Sequence, residues 1–324
     1  MSYTSLISYF ILFIVLELVY FKIADRFNII DKPNHRSSHT RVTIRGGGVI
    51  FPLSVLAYAI LHGFENVYFV IGLMAISTIS FLDDILTLNN KIRLGIHLTS
   101  VLLLFFQWDL FSISWYWILA ALIFVIATIN AYNFMDGING ITGGYSLLTI
   151  ITLYYINEKV TRFTSSELLL VVGLALLVFN FFNFRTKAKC FAGDVGSVSI
   201  AFIIVFFIGE LILTTQNLSY ILLLLVYGTD TAFTVLFRKI RRENIFEAHR
   251  SHFYQYLSNQ LGYAHILVSC IYISAQLLIN ILLLRIAVAD ILSACCLLAL
   301  CIAFYLFIRF KLEGFKKLLT PNAS

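Results

Sequence analysis

The sequence predicts an all-α integral membrane protein with about eleven transmembrane helices. Of its 324 residues, 60% are hydrophobic and 12% are charged, whereas soluble domains are about 45–50% apolar and about 25% charged. The mean hydropathy is +0.90, and the length suffices for ten or eleven spans of about 20 residues with short loops. Only three prolines occur, at positions 33, 52 and 321, so most apolar stretches are free to form unbroken helices.

Eleven apolar windows follow one another along the chain, separated by short polar or glycine-containing segments. Their predicted bounds are 3–22, 47–62, 67–82, 93–108, 114–130, 138–156, 167–182, 195–213, 219–237, 264–285 and 288–309. The second and third windows are short for a bilayer, so these helices are expected to tilt or to thin the membrane. No positive charge precedes the first window, which argues against a cleavable signal peptide and for a retained helix.

The distribution of Lys and Arg predicts the orientation. With the N-terminus outside, 20 of the 23 Lys and Arg residues fall in cytoplasmic segments, as the positive-inside rule requires. The C-terminus is then cytoplasmic. We expect one membrane domain over residues 1–324, with cytoplasmic loops that carry the active site at about 23–46, 83–92, 131–137, 183–194 and 238–263.

The net charge of +6 is assigned to these loops, because the chain has no nucleic-acid-binding motif and nucleic acid is not an expected partner. Five cysteines without a CxxC pair favour structural thiols over disulfides or a metal cluster.

Four short polar segments interrupt the apolar chain, and the predicted topology places all of them on the cytoplasmic side. Charges are costly at membrane depth, so acids and histidines that converge at a membrane edge suggest a functional site. The segments are Asp83-Asp84, residues 130–137, residues 192–197 and residues 249–252.

Asp83 and Asp84 end the third window, where two adjacent carboxylates repel each other and face the negative end of the helix dipole. One interpretation is a Mg²⁺ ligand beside a base that takes a proton from a phosphate or hydroxyl. The alternative is a solvated pair in a loop, flanked by Lys91 and Arg93.

Asn130, Asn133 and Asp136 recur every three residues, which places them on one face of a helix. Two amides and a carboxylate are suited to binding a nucleobase and ribose or to helping hold a metal ion. Helix capping, followed by small residues at a helix contact, is the alternative.

Asp194 lies in a glycine-rich turn before the eighth window, where it is either a metal ligand or the cap of the helix. Glycines also open the second and sixth windows, at positions 46–48 and 137. Free N–H groups at such helix starts favour phosphate, which makes Gly47 a candidate phosphate-binding residue.

His249, Arg250 and His252 lie in the longest cytoplasmic loop and form a candidate clamp for a diphosphate. A basic loop that touches anionic lipid is the alternative, above all for the basic run 238–242. The donor-rich first loop, residues 31–48, is interpreted either as a site for phosphate or lipid phosphate or as a plain positively charged cytoplasmic loop. Glu17, Glu210 and Asp230 lie at membrane depth, where they are functional candidates or partners in hydrogen bonds between helices.

Together, the four segments resemble the polyprenyl-phosphate N-acetylaminosugar-1-phosphate transferases, a superfamily that includes the bacterial undecaprenyl-phosphate GlcNAc-1-phosphate transferase and the phospho-MurNAc-pentapeptide translocase. The resemblance extends from Asp31 to about Leu261 and keeps the order of the family's motifs. Two positions differ from many relatives. Asn139 stands where they carry an aspartate, and the His-Arg-Ser-His loop is similar to the branch that serves O-antigen and capsule assembly.

The resemblance implies transfer of an N-acetylaminosugar-1-phosphate from a UDP-sugar to undecaprenyl phosphate, with Mg²⁺ or its substitute Mn²⁺, at the cytoplasmic face of the bacterial inner membrane. Asp194 and Asp84 would hold the metal ion, and Asp83 would act as the base or, less favourably, as a covalent nucleophile. Substrate would be bound by Lys91, Arg93, Gly47, Asn130, Asn133, Asp136, His249, Arg250 and His252. The sugar is left open, and a homodimer is one expected assembly.

Two other classes compete with this enzyme. A secondary transporter would place its polar groups near the bilayer midplane on broken helices, whereas the polar segments here end or begin the predicted spans. A lipid-binding subunit without catalytic activity would not need three acidic segments beside a histidine loop.

Overall fold

The structure is a computed structural model that describes residues 2–31, 42–86, 88–245, 247, 249–287 and 290–320. Within these residues the chain is almost wholly helical. The helices are α1 (Tyr3–Arg26), α2 (Ile50–His62), α3 (Val67–Leu86), α4 (Asn90–Gln107), α5 (Trp115–Met135), α6 (Ile141–Lys159), α7 (Ser166–Asn183), α8 (Gly193–Thr215), α9 (Leu225–Ile240), α10 (Phe253–Gln255), α11 (His265–Leu282), α12 (Ile291–Glu313) and α13 (Phe315–Leu319).

Each of the eleven predicted windows coincides with a helix among the described residues. In the part of the chain that the structure describes, eight helices are long and apolar enough to cross a membrane, and the other three windows correspond to α2, α4 and α6. The predicted all-α polytopic membrane fold is therefore confirmed. The number of spans and their orientation stay predictions.

Helix α8 forms the centre of the bundle. Of its most apolar stretch, 83% is buried, against 6% for α12, as expected for a helix that is hydrophobic on all sides. Helices α2, α3, α5 and α6 pack around it. The Phe69 and Phe206 rings stack with centroids 3.9 Å apart, which joins α3 to α8. The N-terminus of α8 is thereby held among the ends of its neighbours.

Two helix ends differ from the predicted bounds in ways that matter for the site. Helix α5 continues to Met135, so most of the loop predicted at 131–137 is helical. Helix α6 begins only at Ile141, because Gly140 has φ +84°, a conformation that favours glycine. Asp83 and Asp84 lie in the last turn of α3 and not in a loop.

A short β-structure, absent from the sequence prediction, leads into α2. Strands β1 (Ile30–Asp31) and β2 (Thr43–Ile44) pair antiparallel, and Ile44 also bridges Cys190 in parallel. This pairing fixes the residues that follow Ile44 against the segment before α8. The part of the predicted phosphate-binding loop at 32–41 lies outside the described residues.

A 3₁₀ segment, Leu218–Leu224, precedes α9, and Gln276 of α11 binds the backbone where the two meet. Its Oε1 accepts from the Val226 N–H at 3.0 Å and from the Tyr145 hydroxyl at 2.6 Å. Its Nε2 donates to the Leu222 carbonyl at 2.9 Å. The side chain therefore satisfies backbone groups that the break in the helix would leave unpaired.

Candidate active site

The first turn of α8 is capped by an aspartate from another helix. The Asp84 carboxylate accepts from the Asp194 and Val195 N–H groups, both at 3.1 Å, and its side chain is fully buried. The N-terminal residues of a helix carry unpaired N–H groups and a partial positive charge. Asp194 is therefore not the cap of α8, which was one of its two sequence interpretations.

Arg45 joins the two carboxylates. Its Nη2 lies 2.7 Å from Asp84 Oδ1 and 3.4 Å from Asp194 Oδ1. The Arg45 and Asp194 side chains are 34% and 30% exposed, so this edge of the cluster is open to a ligand. Two acids from distant parts of the chain thus converge on one cation.

Asp83 points to a different partner. Its carboxylate accepts from the Leu88 N–H at 2.9 Å and is paired with the Arg93 guanidinium. Each of the adjacent aspartates therefore has its own arginine, which offsets the repulsion expected between them at a helix C-terminus. Lys91, by contrast, is exposed in the first turn of α4.

Glycines allow the backbones around the cluster to approach closely. A Cβ on Gly48 would lie 2.2 Å from the Gly196 Cα, and one on Gly193, where φ is +72°, would lie 2.7 Å from Asp84 Oδ2. The start of α2 therefore crosses the start of α8 at contact distance.

Gly47 has a packing role in place of the expected phosphate contact. It is buried, its N–H donates to the Phe191 carbonyl at 2.8 Å, and a Cβ would lie 2.6 Å from Cys190 Sγ. Because this N–H already has a protein acceptor, it is not free for a phosphate oxygen. The phosphate contact predicted for Gly47 stays a prediction, and it would require this N–H to leave the Phe191 carbonyl.

Asn130 and Asn133 lie in the last turns of α5, and Asp136 follows its end. Asn130 is exposed and its amide donates back to the Ile126 carbonyl at 3.0 Å, while Asn133 and Asp136 are half-buried. Burial, with a contribution from the negative charge of Asp194, raises the pKa of Asp136 to about 7. Asp136 therefore belongs to the same electrostatic environment as Asp194.

Asn183 connects the residues that follow the second polar segment to those that precede the third, a role that the sequence did not indicate. Its Oδ1 accepts from the Gly140 N–H and its Nδ2 donates to the Cys190 carbonyl, both at 2.8 Å. Asn139 acts beside it, because its Nδ2 donates to the Arg185 carbonyl at 2.9 Å and to the Thr186 carbonyl at 3.3 Å. A carboxylate could not donate these bonds, so an amide suits this position, where the resemblance led us to expect an acid.

The histidine loop packs against the end of α5. The Phe134 ring lies 6.1 Å from the His249 ring and 5.9 Å from the His252 ring, measured between centroids. The Tyr254 hydroxyl donates to the Phe134 carbonyl at 2.9 Å. The structure thus brings the second and fourth segments together. Burial, followed by the nearby charges of His252 and Arg238, lowers the pKa of His249 to about 3, which leaves this ring neutral at pH 7.

Arg250 lies on another side of the loop. It lines a cleft of about 190 Å³ together with Arg241, Lys317 and Glu313. None of the carboxylates of the Asp84–Asp194 cluster lines this cleft.

The basic run 238–242 is used mainly to build the loop. Arg238 is 3% exposed and donates to the Asn244 carbonyl at 2.7 Å. Arg238 and Arg241 both pair with Glu243, at 3.1 and 2.7 Å. These two arginines organise the protein, whereas the sequence interpretation favoured lipid contact for the run.

The donor set of the cluster is suited to a hard cation. Among the described residues no group of three or more His, Cys, Asp or Glu side chains has metal-binding geometry. Mg²⁺, however, is commonly held by one or two carboxylates together with phosphate oxygens and water. Asp194 offers an accessible carboxylate, whereas the Asp84 oxygens already accept two backbone hydrogen bonds and form an ion pair with Arg45. The residues therefore fit a metal ion that is completed by a phosphate-bearing substrate.

Comparison with known proteins finds similarity to sugar-1-phosphate transferases. Residues 66–212 match the profile of glycosyl transferase family 4. A probable undecaprenyl-phosphate N-acetylglucosaminyl 1-phosphate transferase of Bacillus subtilis is 24% identical over 256 residues, which cover 73% of this chain and 71% of the relative.

Two further relatives have similar levels of identity. The phospho-N-acetylmuramoyl-pentapeptide-transferase of Thermotoga maritima is 25% identical over 62% of this chain and 71% of its own length. The undecaprenyl-phosphate alpha-N-acetylglucosaminyl 1-phosphate transferase of Escherichia coli K12 is 28% identical over 66% of this chain and 63% of its own. The profile match contains three of the four polar segments, so residues 66–212 are similar to glycosyl transferase family 4.

Proposed function

We propose that the protein transfers an N-acetylaminosugar-1-phosphate from a UDP-sugar to undecaprenyl phosphate, giving undecaprenyl-diphosphate-sugar and UMP. The observation that carries the proposal is the convergence of Asp84 and Asp194 on Arg45 at the start of α8. Relatives that carry sugar-1-phosphate transferase names support the general reaction.

In this reaction an oxygen of the lipid phosphate attacks the sugar-bearing phosphorus of the UDP-sugar. A new P–O bond forms, the bond to the bridging oxygen breaks, and UMP leaves with the bonding electrons. Phosphoryl transfer of this kind depends mainly on positioning and on neutralising charge. A membrane-bound acceptor and a soluble donor meet most readily at a membrane edge, where helix ends such as those of α3, α5 and α8 are expected.

Asp83 is proposed as the base that takes the proton of the lipid phosphate. The Leu88 N–H and Arg93 hold its carboxylate at the end of α3. Attack by Asp83 itself, with a covalent intermediate, is the less favoured route.

Mg²⁺, or Mn²⁺ in its place, is proposed to bind at Asp194 with Asp84 nearby. When bound, the ion would neutralise charge on the diphosphate. Arg45 already compensates the two carboxylates from the open side.

The nucleotide is assigned to Asn130, Asn133 and Asp136 and the diphosphate to His249 and His252. Phe134 contacts both histidine rings from the same helix end, which supports one continuous donor site. Arg250 and Lys91 are kept as outer substrate contacts.

The narrower role proposed is the initiating step of O-antigen, capsule or another cell-envelope glycan. The protein would lie in the bacterial cytoplasmic membrane with the site facing the cytoplasm, as a monomer or a homodimer. GlcNAc, GalNAc and 6-deoxy aminosugars are all candidate sugars. The secondary transporter is not favoured, because the acidic cluster lies at helix ends and the family match points to a transferase.

The decisive experiment is an assay of UMP release by the purified protein with undecaprenyl phosphate, Mg²⁺ and a panel of UDP-aminosugars. We expect one donor to give UMP and a lipid-linked sugar in equal amounts. Asp83→Asn should abolish turnover in protein that still reaches the membrane folded. Absence of UMP with every donor would contradict the proposed reaction, and full activity of Asp83→Asn would contradict the base assignment.

A further inference from the structure

Asp230 is a fully buried carboxylate of α9 that no step above uses. Its Oδ1 accepts from the Phe253 N–H at 2.9 Å, and its Oδ2 accepts from the Tyr254 N–H at 3.3 Å. The Tyr272 hydroxyl of α11 donates to Oδ2 at 2.6 Å. Asp230 thus binds the two backbone N–H groups that directly follow His252.

Arg309 of α12 binds the other side of the same loop. It is 1% exposed, and its Nη2 donates to the Ser251 carbonyl at 2.7 Å. Its Nη1 donates to the Thr234 hydroxyl at 2.9 Å and lies 3.7 Å from Asp230 Oδ1. The Arg309 Nε also pairs with Glu313 Oε1 at 2.8 Å. The carboxylate of Asp230 on α9 and the guanidinium of Arg309 on α12 therefore both hold the backbone of residues 251–254.

His252 lies between these two anchors. The side chain is 2% exposed, and neither ring nitrogen has a hydrogen-bond partner among the described residues. Nδ1 lies 3.7 Å from Asp230 Oδ1, and the ring packs against Phe134. A buried polar ring without a hydrogen bond is costly, so its position requires support from the surrounding contacts.

We infer that Asp230, Arg309 and Tyr272 are positioning residues that fix the histidine loop for the diphosphate of the donor substrate. The role of the loop in binding rests on the function proposed above. A buried ion pair with all of its hydrogen bonds satisfied adds little net stability but strongly restricts geometry. The three residues touch the loop and contact none of the carboxylates of the Asp84–Asp194 cluster in the described hydrogen bonds and ion pairs.

Tyr272→Phe is the sharpest test, because it removes one hydroxyl and keeps the ring that packs in the core. Tyr145→Phe is its matched control, since that hydroxyl also donates at 2.6 Å, but to Gln276. We expect Tyr272→Phe to raise the KM for the UDP-sugar about tenfold, as loss of a charged hydrogen bond allows, with the KM for undecaprenyl phosphate unchanged. Tyr145→Phe should leave both KM values near those of the parent. Equal changes in the two variants, or in both KM values, would overturn the inference.

A second measurement does not depend on activity. Diethyl pyrocarbonate modification of His252, followed by mass spectrometry of the peptide, reports how well the loop is held. We expect faster modification in Tyr272→Phe and Arg309→Lys than in the parent and in Tyr145→Phe. Unchanged rates would overturn the positioning role even if the enzyme is active, whereas faster modification in a protein that releases no UMP would leave the loop contact standing and reject the proposed reaction.

Discussion

Identical side chains have different tasks in the acidic cluster because their surroundings differ. Asp84 is fully buried, accepts from two backbone N–H groups and forms an ion pair with Arg45, whereas Asp194 is 30% exposed and pairs with Arg45 at 3.4 Å. A buried acceptor is costly to remove, while a partly exposed ion pair contributes little to stability. Stability and chemistry should therefore separate between the two positions.

Asp194→Asn should lower kcat by about 10²–10³, the effect of removing one charge-stabilising group. Its free energy of unfolding should change by less than about 1 kcal/mol, because the ion pair is partly exposed. Asp84→Asn should instead lose about 1–3 kcal/mol, since the amide cannot keep both backbone bonds and the ion pair. UMP release measures the change in kcat, and thermal unfolding in detergent measures the stability of both variants. A strongly destabilised Asp194→Asn would contradict this division.

The raised pKa of Asp136 predicts a pH dependence of stability. Its folded pKa of about 7 lies above the unfolded value, so between about pH 4 and about pH 7 the folded state binds more protons and stability falls as pH rises. Asp136→Asn removes this penalty. Its Tm relative to the parent should therefore rise by a few degrees across that window, as thermal unfolding at several pH values can measure. A Tm difference that does not change with pH would argue against a raised pKa of Asp136.

Asn139→Asp tests whether the acid that the resemblance implies at this position would improve stability or Mg²⁺ affinity in this protein. A carboxylate would face the Arg185 and Thr186 carbonyl oxygens without a proton to donate. We expect a loss of about 1–3 kcal/mol, the cost of unpaired buried groups, and no gain in Mg²⁺ affinity. A more active or equally stable variant would show that the loop after α7 can rearrange.

The crossing of the starts of α2 and α8 determines how the acidic cluster is assembled. Only glycine fits where the Gly48 and Gly196 backbones meet, so two helix starts bring Arg45, on one chain segment, to Asp194 on another. The pattern of glycines predicted helix starts that a phosphate could approach, and it could not show that a second backbone fills the space at Gly48 and Gly196.

Gly196→Ala places a Cβ 2.7 Å from the Gly48 Cα, against backbone that cannot rotate away. We expect a loss of about 1–3 kcal/mol, as for other overpacked sites, together with reduced activity. Gly228→Ala in α9 is the control, because a Cβ there meets no atom within 4 Å and alanine favours a helix. Comparable losses in both variants would show that any added methyl group is harmful, not the crossing in particular.

Helix positions were predictable to within a few residues because each long apolar run has a polar end. What the sequence could not reveal are partners chosen by three-dimensional proximity. No sequence motif surrounds Asn183 or Arg309. Asn183 nevertheless joins Gly140 to Cys190, and Arg309 holds the histidine loop at the Ser251 carbonyl. Asp230 was noticeable as an acid at membrane depth. The N–H groups that donate to its carboxylate, those of Phe253 and Tyr254, come from a distant loop.

At the scale of the whole molecule, contacts between helix ends place the polar segments on one face. The end of α3 caps the start of α8 through Asp84, and the end of α5 meets the histidine loop through Phe134. A single face was the prediction from the Lys and Arg count, and these contacts support it independently. They do not depend on which side of the membrane that face occupies.

The orientation itself can be tested with single cysteines in a background where the five native cysteines are replaced by alanine. Arg162→Cys lies between α6 and α7, on the side predicted to be outside, and Lys316→Cys lies in α13 on the predicted cytoplasmic side. In intact spheroplasts a membrane-impermeant maleimide should label Arg162→Cys and spare Lys316→Cys, because 20 of 23 Lys and Arg residues then remain inside. After lysis both should react. The reverse pattern would put the acidic cluster outside, away from cytoplasmic UDP-sugars, and would contradict both the topology and the proposed donor.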